Sequence, residues 1–253
     1  MYFVQRSRNV VAGEGCPVTD LTFPAMGTPD SKPRFVVVCT ANICRSPMAE
    51  ALLRNHLEMV GVDATVLSSG HLDGGVRVSE NSVKAMADRF LDISHHRSVT
   101  TTREVIDGAE LILTMGRQHV RQVLEVDMGA WPHTFPLRAA VRRAQQLGPR
   151  ARDETVSEWV ERLHHGRRAA DMLADNPDDD VEDPIGMSIR VYRDTAKLLD
   201  DLLGQLVGLM YPQRFRWRRC HTRLPHHPAH RGYVRRVGRL ARRHPSRRAH
   251  PDW

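Results

Sequence analysis

Cysteine is scarce in this chain of 253 residues, with only Cys16, Cys39, Cys44 and Cys220. Four irregularly placed cysteines exclude the disulfide framework of a small secreted domain. No apolar run approaches the roughly 20 residues of a membrane helix, and the clearest, Phe35 to Val38, is strand-sized. The first fifteen residues lack the continuous apolar stretch of a signal peptide. These absences lead us to expect a cytoplasmic protein without membrane insertion. Lysine is rarer still, outnumbered by arginine 34 to 3.

The arginines are unevenly distributed. The formal net charge is +7, yet residues 211–253 hold thirteen arginines and one acid, a local +12 that leaves −5 for the rest. The basic, His- and Pro-interleaved segment reads either as a disordered appendage produced by coding bias or as a contact for polyanions. Residues 1–32 mix Gly, Pro, Ser and Asp without a period and read as a disordered leader, with Met26 as an alternative start to Met1. Between them, residues 33–210 form the expected domain.

That domain alternates strand and helix signals. Phe35 to Val38 reads as a strand buried on both faces. The face Ala49, Leu52, Leu53, His56, Leu57 and Val60 makes a helix that Gly61 closes. Ala64–Ser68 and Leu111–Met115 read as further strands, and Thr134–Leu137 as a short one. Helices are expected over Ser79–Phe90, with Val83, Met86, Ala87 and Phe90 inside, from His119 onward, around Val156–Leu173, and over Arg190–Met210. In the last, Val191, Thr195, Leu198, Leu199, Leu202, Leu206 and Leu209 form the expected stripe. Asp178 to Asp180 read as a polar loop, and Arg142-Arg143 and Arg167-Arg168 as solvated surface or as contacts for acidic flanks. This alternation argues for a parallel sheet covered on both faces.

Chemistry concentrates in Cys39-Thr40-Ala41-Asn42-Ile43-Cys44-Arg45-Ser46-Pro47, which follows a strand and opens a helix. Such a turn aims successive backbone N–H groups at one point, and the helix dipole adds positive potential there. Helix N-termini and nearby cations favour the nucleophilic thiolate form of cysteine. Arg45 supplies a planar fork for two phosphate oxygens, Ser46 a hydroxyl for the Cys39 sulfur, and Asn42 a side chain that shapes the loop. The alternatives for Cys39 are a buried structural cysteine or half of a metal pair with Cys44. The absence of further Cys or His at ligand spacing speaks against metal.

This segment resembles the phosphate loop of the low-molecular-weight protein tyrosine phosphatases, Val-Cys-x-Gly-Asn-Ile-Cys-Arg-Ser-Pro leading into Met-Ala-Glu-Ala, with Ala41 at the glycine. Leu67–Gly70, Leu91–Ser98, Leu111–Met115 (with Gly116 at the family's aspartate) and Asp183-Pro184 resemble later family segments in order. The resemblance implies a three-layer α/β fold, a four-stranded parallel sheet flanked by helices. It implies hydrolysis of a phosphate monoester, on a phosphotyrosine protein or a small aryl phosphate, through a phosphocysteine on Cys39. Arg45 and the amides of Thr40 to Ser46 would hold the phosphoryl oxygens, Asp183 would act as general acid, and no metal or cofactor is needed. From spacing alone Asp183 is loop punctuation before a proline. The family also suggests a reversible Cys39–Cys44 disulfide, against a reading of Cys44 as a small residue packed under the loop. Tyrosine-specific members usually follow Asp-Pro with an aromatic residue, whereas Ile185 stands here. Arsenate reduction on the same fold is the alternative. A thioredoxin-coupled relay is excluded because no cysteine lies between Cys44 and Cys220, which leaves a small-thiol version.

Overall fold

The computed structural model describes residues 32–172 and 175–214. Four strands, β1 (Arg34–Cys39), β2 (Thr65–Gly70), β3 (Leu111–Thr114) and β4 (Thr134–Pro136), pair in parallel in the order β2-β1-β3-β4. Side chains alternate across the central strands. Phe35, Val37, Leu111 and Leu113 join one buried cluster, while Val36, Val38 and Ile112 join another on the opposite face. This explains the unbroken apolar runs: strands covered on both sides have no face for polar residues.

On the first face lie α1 (Arg45–Met59), α2 (Glu80–Ala87), α5 (Leu137–Leu147), α6 (Val156–His164) and the long α7 (Ile189–Met210). On the second, α3 (Arg103–Ile106) and α4 (Arg117–Val126) cover the sheet through Ile106 and Val123. The expected three-layer α/β sandwich is therefore present. No helix among the described residues is long and apolar enough to cross a membrane. Both expected terminal extensions fall outside the described residues, apart from Lys32 and residues 211–214.

Several expectations are corrected by packing. The α6 segment ends at His164, not Leu173, because Gly166 turns the chain at φ +76°. Leu137 opens α5 instead of closing a strand, so the reading of residues 134–147 missed a helix whose buried face is Leu137, Ala140, Val141 and Ala144. Thr195, Leu199 and Leu206 of the expected α7 stripe are buried, but the face extends to Tyr192, Ala196, Leu203, Val207 and Met210, while Val191, Leu198, Leu202 and Leu209 stay partly exposed. The reason is that α7 packs against α1, α2 and α5 together, so its buried stripe is wider than one periodic row. The arginine pairs are not simply solvated either. Arg143 donates to the carbonyls of Leu163 and His165, and Arg167 lies 3.9 Å from the ring centroids of both Trp131 and Phe135.

Helix α2 also stops early. Phe90, expected inside, is 98% exposed at φ +60°. Its amide donates to Ala87 O and that of Leu91 to Met86 O, at 3.0 and 3.1 Å, the bonds of a Schellman cap whose left-handed residue is ordinarily glycine. A side chain in that conformation costs roughly 1–2 kcal/mol. Phe90→Gly should therefore stabilise the fold by about 1 kcal/mol, with glycine's greater freedom in the unfolded chain offsetting part of the relief. An unchanged or lower midpoint in urea unfolding would contradict this.

Candidate active site

Cys39 ends β1 and Arg45 begins α1, so residues 40–44 form a tight loop at the carboxyl edge of the sheet. The carbonyls of this loop are tied outward. Thr40 O accepts from the amides of His71 and Leu72 (2.7 and 3.2 Å), and Ile43 O from the amide of Ser79 (2.9 Å). Asn42 O accepts from His96 Nε2 at 3.1 Å. In a planar trans peptide the N–H points opposite to the carbonyl, so the amides of Ala41, Ile43 and Cys44 are turned inward. The Asn42 amide donates to Cys39 Sγ at 3.3 Å, and Ser46 Oγ lies 3.0 Å from the same sulfur. Cys39 is thus a buried sulfur ringed by donors.

Two residues let the loop close this tightly. Asn42 takes φ +54°, a conformation Asn tolerates. Its buried side-chain amide donates to Ser46 Oγ and Ser68 Oγ, both at 2.8 Å, while its Oδ1 accepts from the Val99 amide. Gly70 is the second. A Cβ there would lie 2.7 Å from both Asn42 N and Thr40 O, so only glycine admits the loop against the end of β2.

Arg45 is buried, and its guanidinium spans two distant parts of the chain. Nη1 donates to Val181 O at 3.0 Å, while Nη2 donates to Thr40 Oγ1 at 3.2 Å and to Asp183 Oδ2 at 2.5 Å. Asp183 is partly exposed, and its Oδ1 accepts from the Ile185 amide. The structure therefore brings together Cys39, Arg45, Ser46, Asn42 and Asp183, although Asp183 lies 138 positions from Arg45 in sequence.

Residues 34–146 match the family described as low molecular weight phosphotyrosine protein phosphatase. A protein-arginine-phosphatase of Bacillus subtilis is 32% identical over 183 residues, which are 71% of this chain and 98% of that protein. The probable low molecular weight protein-tyrosine-phosphatase EpsP of Ralstonia solanacearum is 42% identical over 89 residues, 35% of this chain and 59% of its own length. A low molecular weight protein tyrosine phosphatase of T. tengcongensis superposes with a TM-score of 0.53 at 27% identity, covering 70% of this chain and 99% of that one. The chain belongs to the low molecular weight phosphotyrosine protein phosphatase family. It is a phosphatase.

In this phosphatase Cys44 is a protonated thiol. Burial raises its pKa, partly opposed by hydrogen bonds from Tyr192, Ser79 and Ser82. Its sulfur lies 3.6 Å from the Tyr192 hydroxyl, which accepts from Ser79 Oγ at 3.1 Å, so Cys44 is packed between the loop and α7.

The sequence reading missed His119. It sits in the first turn of α4, just past the carboxyl end of β3, where chemistry gathers in such sheets. Position in the topology was the available signal. His119 Nε2 lies 2.9 Å from Thr40 Oγ1. That oxygen also accepts from Arg45, so the His119 ring and the Arg45 guanidinium meet at one hydroxyl. Burial, then Arg45, then His71 lower the His119 pKa to about 3. The neutral ring can thus accept beside a guanidinium across the physiological range.

The lowered value has a consequence for stability. Between about pH 3 and 6.5 the unfolded chain binds a proton at His119 that the folded chain refuses, so stability falls as the pH is lowered through that window. His119→Gln, which retains an acceptor in place of Nε2, should flatten the dependence of the urea midpoint on pH between 6.5 and 4. An unaltered slope would contradict the assignment.

Proposed function

We propose that this phosphatase hydrolyses phosphotyrosine through a phosphocysteine on Cys39. The observation that carries the reading is the convergence on one sulfur of the Asn42 amide, the Ser46 hydroxyl and the neighbouring Arg45–Asp183 pair. The Cys39 thiolate attacks phosphorus in line, and the S–P bond forms as the bond to the leaving oxygen breaks. Asp183, as general acid, gives a proton to that oxygen. Water then attacks phosphorus, Asp183 takes the proton back, and the S–P bond breaks to return the thiolate and inorganic phosphate. Arg45 Nε, buried without a protein partner, and the inward amides of the loop hold the equatorial oxygens as charge spreads.

Aliphatic side chains around the loop support an aryl substrate. Leu72, whose amide is fastened to Thr40, is 55% exposed, and Ile185, two residues after Asp183, is 52% exposed. Both can flank a phenyl ring by contact instead of stacking. A second reading is favoured by alignment length, because the relative matched over 98% of its length is a protein-arginine-phosphatase. Phosphoarginine is therefore the competing substrate. The aliphatic rim argues against it, since a guanidinium leaving group calls for more acceptors than an apolar wall offers. Cys44 remains available as a disulfide partner for an oxidised Cys39, a proposal that packing at 3.6 Å from Tyr192 leaves to a test under peroxide.

Cys39→Ser should abolish turnover while phosphate or vanadate still binds, and retained activity would refute the central claim. Asp183→Asn should slow hydrolysis about 10²- to 10⁴-fold for phenyl phosphates with poor leaving groups and far less for good ones. A uniform loss across leaving groups would remove Asp183 from the acid role. Parallel assays of phosphotyrosine, phosphoarginine, phosphoserine, and arsenate with a small thiol, all with EDTA, decide the substrate. The proposal requires phosphotyrosine to give the highest kcat/KM.

A further inference from the structure

Behind the segment that carries Asp183 lies a cavity of about 220 Å³ whose lining includes Arg117, Arg142, Arg143, Arg167 and Arg168 and, among the described residues, a single carboxylate, Asp179. The expected polar loop is here a short turn, Pro177–Asp179, and Asp179 is 1% exposed. Its carboxylate pairs with Arg117 Nε at 2.6 Å and with the Arg142 guanidinium, which also donates to Asp178 O. One buried negative charge is thereby committed to two arginines.

Arg143 and Arg167 are not matched in the same way. Arg143 bonds only carbonyl oxygens, those of Leu163 and His165. Arg167 bonds the carbonyls of Trp131 and Thr134 and the ring of His164, and otherwise meets aromatic faces. Among the described residues, neither has a carboxylate within ion-pairing distance. Burial first, and then the proximity of Arg143, lower the pKa of the half-buried Arg167 to about 9. Neighbouring like charges repel until an anion lies between them, and planar guanidiniums around a small cavity match the oxygens of a tetrahedral oxyanion.

We propose that this cavity is a second oxyanion site, distinct from the Cys39 loop, that takes a phosphate-sized dianion through Arg142, Arg143 and Arg167. Two sources share this chemistry: inorganic phosphate, which the reaction itself releases, and a second phosphoryl group on the substrate. The cavity opens to solvent beside Arg142 and Gln146, both exposed on α5. Asp179 lies four residues before Asp183 and two before Val181, whose carbonyl Arg45 grips, so the occupant sits against the same segment.

Isothermal titration with inorganic phosphate at constant ionic strength tests the site in the full chain carrying Arg45→Ala, which removes the guanidinium of the Cys39 loop. Saturable 1:1 binding is expected. It should weaken about tenfold on adding Arg143→Gln or Gln146→Glu and persist with Arg143→Lys. The Gln146→Glu change supplies an internal carboxylate from an exposed position, and thermal melting checks that each variant is folded. No saturable binding, or isotherms indifferent to both Arg143→Gln and Gln146→Glu, would overturn the proposal. Because the readout is binding, it is independent of whether Cys39 carries the reaction. In the otherwise unaltered enzyme, a lower KM for a doubly than for a singly phosphorylated peptide, lost in Gln146→Glu, assigns the site to the substrate. Equal KM values with phosphate binding intact assign it to free phosphate.

Discussion

A single buried cation, the guanidinium of Arg45, joins the two halves of the active site. It reaches Thr40 in its own loop and Val181 and Asp183 from a segment more than 130 positions away. A buried charge of this kind is tolerated only when it is paired, and its pairing with Asp183 is what brings that carboxylate near Cys39. The loop around Cys39 can be built locally from a strand end and a helix start. The position of Asp183 cannot, because the contact that sets it against the loop, with Arg45, spans 138 positions of sequence.

The surroundings of that cation are arranged so that it meets few competing charges. His119 is kept neutral by burial and by Arg45 itself, so it meets Thr40 without adding repulsion. On the far side, Asp180 crowds the place where a side chain at position 116 would begin, its Oδ1 lying 2.3 Å from a Cβ built on Gly116. The family's usual aspartate after the methionine is thus replaced by a glycine that makes room for a carboxylate arriving from elsewhere in the chain. Val181 follows directly, its amide bonded to Met115 O, so the late segment runs on from the edge of β3 before it reaches Asp183.

Different parts of this arrangement were legible to different degrees. The loop was read correctly because its signals are local: a strand end, a helix start and cysteine and arginine at a fixed spacing. The stripe on α7 was drawn too narrow and partly off the buried face because burial there is set by three partner helices and not by the period of one. Phe90 was placed inside because its spacing continues the helix, yet the chain turns left-handed at that residue. Asp179 and the arginine pairs read as surface, since a charged residue's burial depends on which partner reaches it, and those partners come from α4 and α5.

What the sequence by itself determined is the chemistry of the centre. Cys39, Arg45 and the loop between them lie within seven residues, and short-range geometry leaves them little freedom. Only the tertiary structure decided what surrounds them: Asp183 against Arg45, His119 against Thr40, Gly70 beneath the loop, and Asp179 between two arginines. Each of those contacts depends on which strand ends lie side by side in the order β2-β1-β3-β4. That order is a choice among packings of the whole chain, and no local pattern of residues encodes it.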